Sequence, residues 1–204
     1  SENPNVDLAI SSNFDLSEVP AYYSLEPYLN EISGTILTNL NVNGSTASPE
    51  NMDVAGSIIL ENANFAGDSL PTAPITGMNA DIGMTGANLN IKSSGLKIGP
   101  TDINFNGSIK RYRELAAESI EQPVEIDGQL TSKLFNYDAM FPEEPEETDE
   151  ELEPVPMEIP NIDVQINIEA DSILYMGTGF YDARADLSIV QDKIKITNMN
   201  TGIM

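Results

Sequence analysis

The segment IDVQINIE, from Ile162 to Glu169, decides the fold class that this sequence predicts. Its aliphatic residues stand at every second position and alternate with Asp, Gln, Asn and Glu. The same alternation returns in YDARADLSI (181–189) and in KIKIT (193–197). A period of two is that of a β-strand, whose successive side chains point to opposite faces of a sheet. The three segments therefore predict a meander of strands with one apolar face and one polar face.

Alternating segments also fill most of the chain before this meander. An entry strand is expected within residues 2–13, and Ser17 is expected to cap a short helix that extends to Ile32. Further strands are predicted at 36–42, 54–65, 78–84, 89–91, 96–98, 103–109 and 124–130, with turns at Asn43–Gly44, Gly86 and Ser94–Gly95 and short helical segments at 112–119 and 134–140. Many short strands joined by Gly, Asn and Asp turns are typical of an antiparallel all-β protein.

A strongly acidic run interrupts the β pattern at residues 142–158. Eight of the residues from Glu143 to Glu153 are Asp or Glu, and this composition predicts a disordered or solvated loop. A calcium site is the alternative, but the run lacks the Gly and the Asp-x-Asp spacing that such sites use. The expected division is an entry strand and short helix (1–33), a β-rich block (34–141), the acidic loop (142–158) and a β-meander (159–204), all within one continuous β domain.

Composition excludes several classes of function. The formal net charge is −24, with only 9 basic residues, so neither nucleic acid nor an anionic membrane surface is an expected partner. The chain has no His, Cys or Trp, which removes His-dependent catalytic triads and thiolate or imidazole metal sites. A carboxylate pair acting on glycosides is a further alternative, although aromatic residues, the usual platforms for sugars, make up only 6%. We therefore expect no enzyme, no metal and no cofactor.

The sequence also lacks a run of about 18 apolar residues and a signal peptide. The final residues TGIM (201–204) resemble a strand cut short. We therefore expect the chain to be a segment of a longer protein, whose membrane contact is made only by regions outside this segment.

The aliphatic stripes have two interpretations. In a closed β-sandwich, two such faces cover each other. In a curved sheet, the inner face stays open as a groove for hydrocarbon. Burying one methylene contributes about 0.8 kcal/mol, so an acyl chain of roughly 16 carbons would gain on the order of 10 kcal/mol in such a groove.

Two blocks of sequence add a resemblance to these patterns. The later block contains IPNIDV (159–164) followed by INIEADSILY (166–175). The earlier block contains LNEISGT (29–35), VAGSIILENA (54–63), LPTAPI (70–75) and TDINFNGSI (101–109). In this order, over about residues 29–204, the motifs resemble the C-terminal region of the AsmA family. The acidic insertion and the incomplete ending depart from the family pattern.

The resemblance implies an envelope protein of a Gram-negative bacterium, anchored in the inner membrane by an N-terminal helix outside this segment. It also implies a periplasmic β-rich body related to bridge-like lipid-transfer proteins with taco-shaped grooves. No catalytic residues are implied. The expected fold is mainly β, an antiparallel curved sheet or meander that forms an open groove, with one or two short helices.

The leading hypothesis is a groove that binds and conducts phospholipid acyl chains between the inner and outer membranes. The alternative is a non-catalytic scaffold module that supports outer-membrane protein assembly or envelope integrity, with envelope or outer-membrane assembly proteins as partners. The residues predicted to line the groove share an aliphatic or aromatic side chain on one alternating stripe: Ile36, Leu40, Ile82, Ile103, Phe105, Ile126, Val164, Ile166, Ile168, Leu187, Ile189, Ile194 and Ile196.

Overall fold

The computed structural model describes residues 4–25, 29–47, 52–67, 73–116, 122–141, 161–190 and 193–203. Of these residues 75% lie in strands, which form one open, curved sheet. The predicted fold class is thereby confirmed. The strands are β1 (Asn5–Asp15), β2 (Glu31–Ser45), β3 (Asp53–Ala66), β4 (Ile75–Thr85), β5 (Asn88–Ile98), β6 (Thr101–Lys110), β7 (Val124–Ser132), β8 (Phe135–Asn136), β9 (Ile162–Tyr175), β10 (Thr178–Val190) and β11 (Lys193–Ile203).

The strands follow one another across the sheet in the order β1-β2-β3-β4-β5-β6-β7-β9-β10-β11, and the two-residue strand β8 also pairs with β9. Neighbouring strands are antiparallel except at one place, because both β7 and β8 pair with β9 in parallel. Parallel neighbours require a crossover of a dozen or more residues, which the long connection between β7 and β9 provides. The expectation of a wholly antiparallel sheet is wrong at this junction.

Helical structure among the described residues is limited to three short pieces. A 3-10 helix spans Leu16–Ala21, a second spans Tyr112–Ala116, and α1 spans Tyr137–Met140. The helix predicted from Ser17 to Ile32 is wrong, since the chain is already extended in β2 from Glu31 onward. Its cap is also different, because the Asp15 carboxylate accepts a hydrogen bond from the Ser17 amide at 2.9 Å.

The turns predicted at Asn43–Gly44 and at Ser94–Gly95 are wrong as well, and β2 continues through the first of them to Ser45. Strand β5 continues through the second of them to Ile98, and the chain turns at Gly99–Pro100 instead. What interrupts the alternation is a bulge, because Lys92 and Ser93 stand between two consecutive register pairs with β6. A bulge inserts an extra residue without ending the strand, so a local change of pattern looks like a turn in the sequence.

The predicted acidic loop lies outside the described residues. The β-rich blocks before and after it belong to the same sheet, since β7 of the first block pairs with β9 of the second over nine residue pairs. The predicted turn at Gly86 is present between β4 and β5, and its φ of 60° is in the region that favours glycine.

Candidate functional site

The strand register places an unbroken apolar row across the whole sheet. Directly opposite residues on neighbouring strands have their side chains on the same face. One such row passes through every strand from β1 to β11 apart from β8: Ile10, Leu40, Gly56, Met84, Leu89, Ile109, Ile126, Val164, Ile189 and Ile194. Only Gly56 in this row lacks an apolar side chain. We call the side of the sheet that carries this row the apolar face.

Parallel rows widen the apolar face on one side. The next row is polar on β1 and β2 and apolar or Gly beyond them: Ser12, Thr38, Ile58, Ile82, Ile91, Gly107, Gly128, Ile166, Leu187 and Ile196. The one after it contains Phe14, Ile36, Leu60, Ala80, Ser94, Phe105, Leu130, Ile168 and Ala185. Ile103 lies on the same side of β6, opposite Leu96. All thirteen residues predicted to line a groove therefore lie on one face of one sheet.

The opposite side of the sheet, which we call the polar face, is mostly polar, although Leu37 and Ile59 also lie on it. A row displaced by one residue contains Ser11, Asn39, Ser57, Gly83, Asn90, Ser108, Asp127, Gln165, Ser188 and Lys195. Side chains alternate between the two faces along each strand. Because neighbouring strands are in register, this alternation separates apolar from polar side chains across the whole sheet. The two faces differ across some ten neighbouring strands.

Burial supports an inward curvature of the sheet toward the apolar face. The strand residues that the fold buries are Ala63, Ala80, Ile98, Thr101, Val124, Ser132, Val164 and Ala170. The register places them on the apolar face, whereas the polar face contributes none of these buried residues. Side chains converge on the inner side of a curved sheet, and they are then shielded by their own neighbours. We infer that the apolar face is the concave one.

The middle of the apolar face is not covered by a second layer formed from the described residues. These residues form a single sheet, and their main contacts join neighbouring strands or attach the short helical pieces. Ile58, Ile82 and Ile166 are consequently only half-buried. At the two edges of the sheet exposure is higher, reaching 51% for Leu8 and 60% for Ile194. A closed sandwich, the alternative drawn from the strand pattern, is not what these strands form.

The short helical segments lie at the ends of the strands. Thr101, on the apolar face at the start of β6, exchanges hydrogen bonds with the backbone of Asn136, just before α1. Leu16 and Met140, in the first 3-10 helix and in α1, are the buried residues of these segments. Asp138 of α1 also accepts hydrogen bonds from the Met176 and Gly177 amides, at 2.7 and 2.9 Å. These hydrogen bonds attach the segment around α1 to β6 and to the turn after β9.

Phe105 shows how the floor of the apolar face is built. Its ring lies against Gly107 and Gly128, which face each other on β6 and β7. A Cβ on Gly128 would be 2.6 Å from both the Phe105 ring and the Asn106 carbonyl oxygen. An aromatic ring that covers a glycine pair replaces the missing side chains. The Phe105 side chain thus contributes a flat apolar surface at the centre of the sheet.

Charged and amide groups on the polar face are tied to one another. Glu125 receives hydrogen bonds from Lys110 and Arg111, which together lower the pKa of its carboxyl to about 2. Asp186 receives hydrogen bonds from the side-chain amides of Asn198 and Asn167, and these lower its pKa. These contacts run between neighbouring strands, so they add cross-strand links on the face exposed to water.

Sequence reasoning missed about half of the apolar face. Leu8, Ile10, Val42, Val54, Ile58, Leu60, Met84, Leu89, Ile91, Ile109 and Leu130 share the face of the predicted residues. The signal that identifies them is the register, because each lies opposite another apolar residue or in line with one. In the sequence they were recognisable as strand residues but not as neighbours.

Two depressions of the surface lie on the polar face. One has a volume of about 780 Å³ over β4, β5 and β6, and another of about 710 Å³ lies beside Asn90, Asn106 and Gln129. An extended hydrocarbon chain requires a continuous apolar strip rather than an enclosed cavity. These two depressions therefore belong to the polar side of the sheet and not to the apolar face.

Within the described ranges, no helix is long and apolar enough to cross a membrane. In the same part of the chain, no group of three or more acidic side chains converges in a way that could hold a metal ion. Comparisons with protein families, with curated proteins and with solved structures find no match to this chain.

Proposed function

We propose that this chain is a segment of a lipid-conducting protein, whose apolar face binds phospholipid acyl chains and lets them move along the sheet. The observation that carries the proposal is the unbroken apolar row from Ile10 on β1 to Ile194 on β11. An apolar surface bounded on both sides by polar strands could hold one lipid in place. An apolar surface that reaches both edge strands allows a lipid to move from one edge of the sheet to the other.

The dimensions of the face fit an acyl chain. Neighbouring strands lie about 4.8 Å apart, so the nine spacings between β1 and β11 extend over about 43 Å. This is longer than the hydrocarbon core of a bilayer, which is about 30 Å thick. A whole acyl chain can therefore lie across the strands while it remains in contact with aliphatic side chains.

The energetics favour movement rather than tight binding at one place. Each methylene that leaves water contributes about 0.8 kcal/mol, and successive strands offer similar Ile, Leu and Val side chains. A chain that advances by one strand exchanges one set of aliphatic contacts for an equivalent set. Its free energy is nearly the same at each position, and the barrier between positions is small.

The proposed setting is the periplasm of a Gram-negative bacterium, with the full-length protein anchored in the inner membrane. The support for this setting is the resemblance of the ordered motifs from LNEISGT (29–35) to INIEADSILY (166–175) to the AsmA family. The apolar face, whose middle is not covered by a second layer of described residues, fits the groove that the resemblance implies. Support of outer-membrane protein assembly is the rival function, and it predicts no lipid on this face.

The test is phospholipid retention by neighbouring variants on opposite faces. Ile166→Asp places a charge in an apolar row, whereas Gln165→Asp places the same charge one residue away on the polar face. The variants are incubated with phosphatidylglycerol and phosphatidylethanolamine vesicles and re-isolated, and bound lipid is measured by mass spectrometry. We expect the wild type and Gln165→Asp to retain phospholipid and Ile166→Asp to lose it, since a carboxylate in contact with hydrocarbon is costly.

A third variant distinguishes loss of lipid binding from unfolding of the protein. Ile194 is 60% exposed on the edge strand, so Ile194→Asp should leave the sheet intact by circular dichroism while it charges the same row. Equal lipid retention by all variants, or a wild type without lipid, would contradict the proposal. A lipid-free wild type that instead retains envelope proteins would support the scaffold function.

A further inference from the structure

A polar depression of about 780 Å³ lies over β4, β5 and β6 on the polar face. Its volume is in the range of small-ligand sites, but its lining is mostly polar, so a fitting ligand is hydrophilic. We call it the lysine depression, and its lining includes Asn79, Lys92, Ser93, Lys97, Asn104 and Lys133.

Two bulges on adjacent strands create this depression. Lys92 and Ser93 of β5 stand opposite the single residue Asn106 of β6. On the other side of β5, Gly77 and Met78 of β4 stand opposite Leu96. A bulge bends its strand and increases the local twist, so two staggered bulges open the surface between them.

A glycine keeps the floor of the depression low. Gly95 lies on the polar face between the two bulges, opposite Asn104. A Cβ at Gly95 would stand 2.6 Å from the Asn104 Oδ1 atom. The Asn104 amide therefore occupies space that a larger residue at position 95 would fill, and its polar atoms stay at the base of the depression.

The lysine depression gathers positive charge in an acidic protein. Three of the nine basic residues of the chain line it, and Asp102 is its acidic lining residue. The Asp102 carboxylate accepts hydrogen bonds from the Lys133 and Leu134 amides at 3.1 and 2.9 Å and keeps its negative charge, with Lys97 opposite it on β5. The three lysines and Asp102 together give the lining a formal charge of +2. Lys92 pairs with Asp81 at 3.1 Å.

Two ammonium groups of the depression are left for a ligand. Within the described part of the chain, Lys97 and Lys133 make no ion pair through their side chains. Both residues are exposed, so their charges are available at the rim. Ammonium groups bind carboxylates through charge-assisted hydrogen bonds, which are stronger than bonds between neutral groups.

We propose that the lysine depression binds a short acidic oligosaccharide. Lys97 and Lys133 bind its carboxylates, while the Asn104 amide and the Ser93 hydroxyl lie where its hydroxyl groups would be recognised. The Asn79 amide is held within the sheet, since it accepts from the Asn62 amide at 3.0 Å and donates to the Gly77 carbonyl at 2.8 Å. The ligand is short, because the net charge of −24 would repel the part of a long polyanion that extends beyond the depression. A short ligand interacts mainly with the nearby lysines, since salt screens charges that are more than about 8 Å away. This site is separate from the apolar face and does not depend on lipid binding there.

The test uses trigalacturonate as the probe, with titration followed by calorimetry. The variant Lys97→Gln/Lys133→Gln removes both rim charges. The matched control Lys193→Gln/Lys195→Gln removes two charges of β11, where Lys195 belongs to the polar face but is far from the depression. All four changes replace exposed side chains, and thermal unfolding verifies that both proteins remain folded.

We expect the wild type and the β11 control to bind trigalacturonate, and the rim variant to bind it at least about tenfold more weakly because two charged hydrogen bonds are lost. Maltotriose, which has hydroxyls without carboxylates, should bind much more weakly than trigalacturonate. Absence of binding to the wild type, or an equal loss in both variants, would overturn the site. Equal binding of the peptide Glu-Glu-Glu would overturn the saccharide as its ligand.

Discussion

Glu125 stands at the start of β7 between two cations of β6 and its following turn. Its carboxylate accepts hydrogen bonds from Lys110 Nζ and from an Arg111 guanidinium nitrogen, each at 2.7 Å. Arg111 also donates to the Pro123 carbonyl at 2.7 Å, and its φ is 57°. A residue other than Gly at positive φ requires compensating contacts. The Glu125 carboxylate therefore helps to hold the connection between two central strands.

These contacts predict a pH-dependent contribution to stability. Hydrogen bonds from Lys110 and Arg111 lower the pKa of Glu125 from 4.5 to about 2 in the folded chain. A lowered folded-state pKa stabilises the protein above the unfolded value, and this contribution disappears as the pH falls from about 4.5 to about 2. We expect Glu125→Gln to unfold at a lower urea concentration than the wild type at pH 7, and the difference to vanish near pH 2.

Glu61→Gln is the control for this measurement. Glu61 is an exposed strand residue whose carboxylate forms no ion pair among the described residues. Its replacement should leave the urea midpoint nearly unchanged at pH 7. A difference between wild type and Glu125→Gln that persists unchanged down to pH 2 would show that the ion pairs do not stabilise the fold.

The central strands β6 and β7 approach each other where two glycines are paired. A Cβ on Gly107 would collide with the Asp127 carbonyl oxygen, and it would lie 2.8 Å from Gly128 Cα. The neighbouring atoms belong to the backbone, which cannot move aside without disturbing the strand pair. By contrast, a Cβ on Gly83 of β4 would meet nothing closer than the Asn90 carbonyl oxygen at 3.8 Å.

The two glycines therefore respond differently to the same substitution. We expect Gly107→Ala to lower the free energy of unfolding by about 1–3 kcal/mol, because overpacking forces the strands apart. Gly83→Ala should change it by less than about 0.5 kcal/mol, as surface substitutions commonly do. Urea unfolding of both variants measures the difference. Equal effects would mean that the close approach of β6 and β7 is not a constraint on the fold.

The molecule as a whole combines a high negative charge with an apolar face over whose middle the described residues place no second layer. Exposed aliphatic side chains favour association, and a net charge of −24 at pH 7 opposes it through repulsion between copies. The balance depends on pH, because protonation of carboxylates removes the repulsion but leaves the apolar face unchanged. At the isoelectric point of about 4.1 only the attraction remains.

We therefore expect light scattering to rise as the pH is lowered toward about 4.1. The variant Ile194→Lys/Ile196→Lys charges the exposed edge of the apolar face and should associate less. Ser188→Lys/Thr197→Lys adds the same charge beside the polar face, where Ser188 opposes Lys195 and Thr197 opposes Asp186. Equal scattering by the two variants would show that the apolar face does not drive association.

The β-strands and their two faces follow from the sequence by itself. Alternation along a strand is a property of the local backbone, so Val164, Ile166 and Ile168 must share a face wherever the strand is placed. For the same reason, all thirteen predicted residues could be chosen before their neighbours were known. The error at Ser94–Gly95 arose because a bulge at Lys92–Ser93 resembles a turn in the sequence. The helix predicted from Ser17 to Ile32 is replaced by a short 3-10 helix and by β2, which begins at Glu31.

The neighbours of each strand, in contrast, depend on residues far apart in the chain. The parallel pairing of β7 with β9, the meeting of Glu125 with Lys110 and Arg111, and the gathering of Lys92, Lys97 and Lys133 all require long-range contacts. The alternation of apolar and polar residues is the same in a closed sandwich, where two apolar stripes cover each other, and in a single sheet, where they lie side by side. The sequence pattern therefore does not distinguish these two arrangements. That choice is made by the order of strands, which leaves β1 and β11 as edges and places no second sheet of described residues over the apolar face.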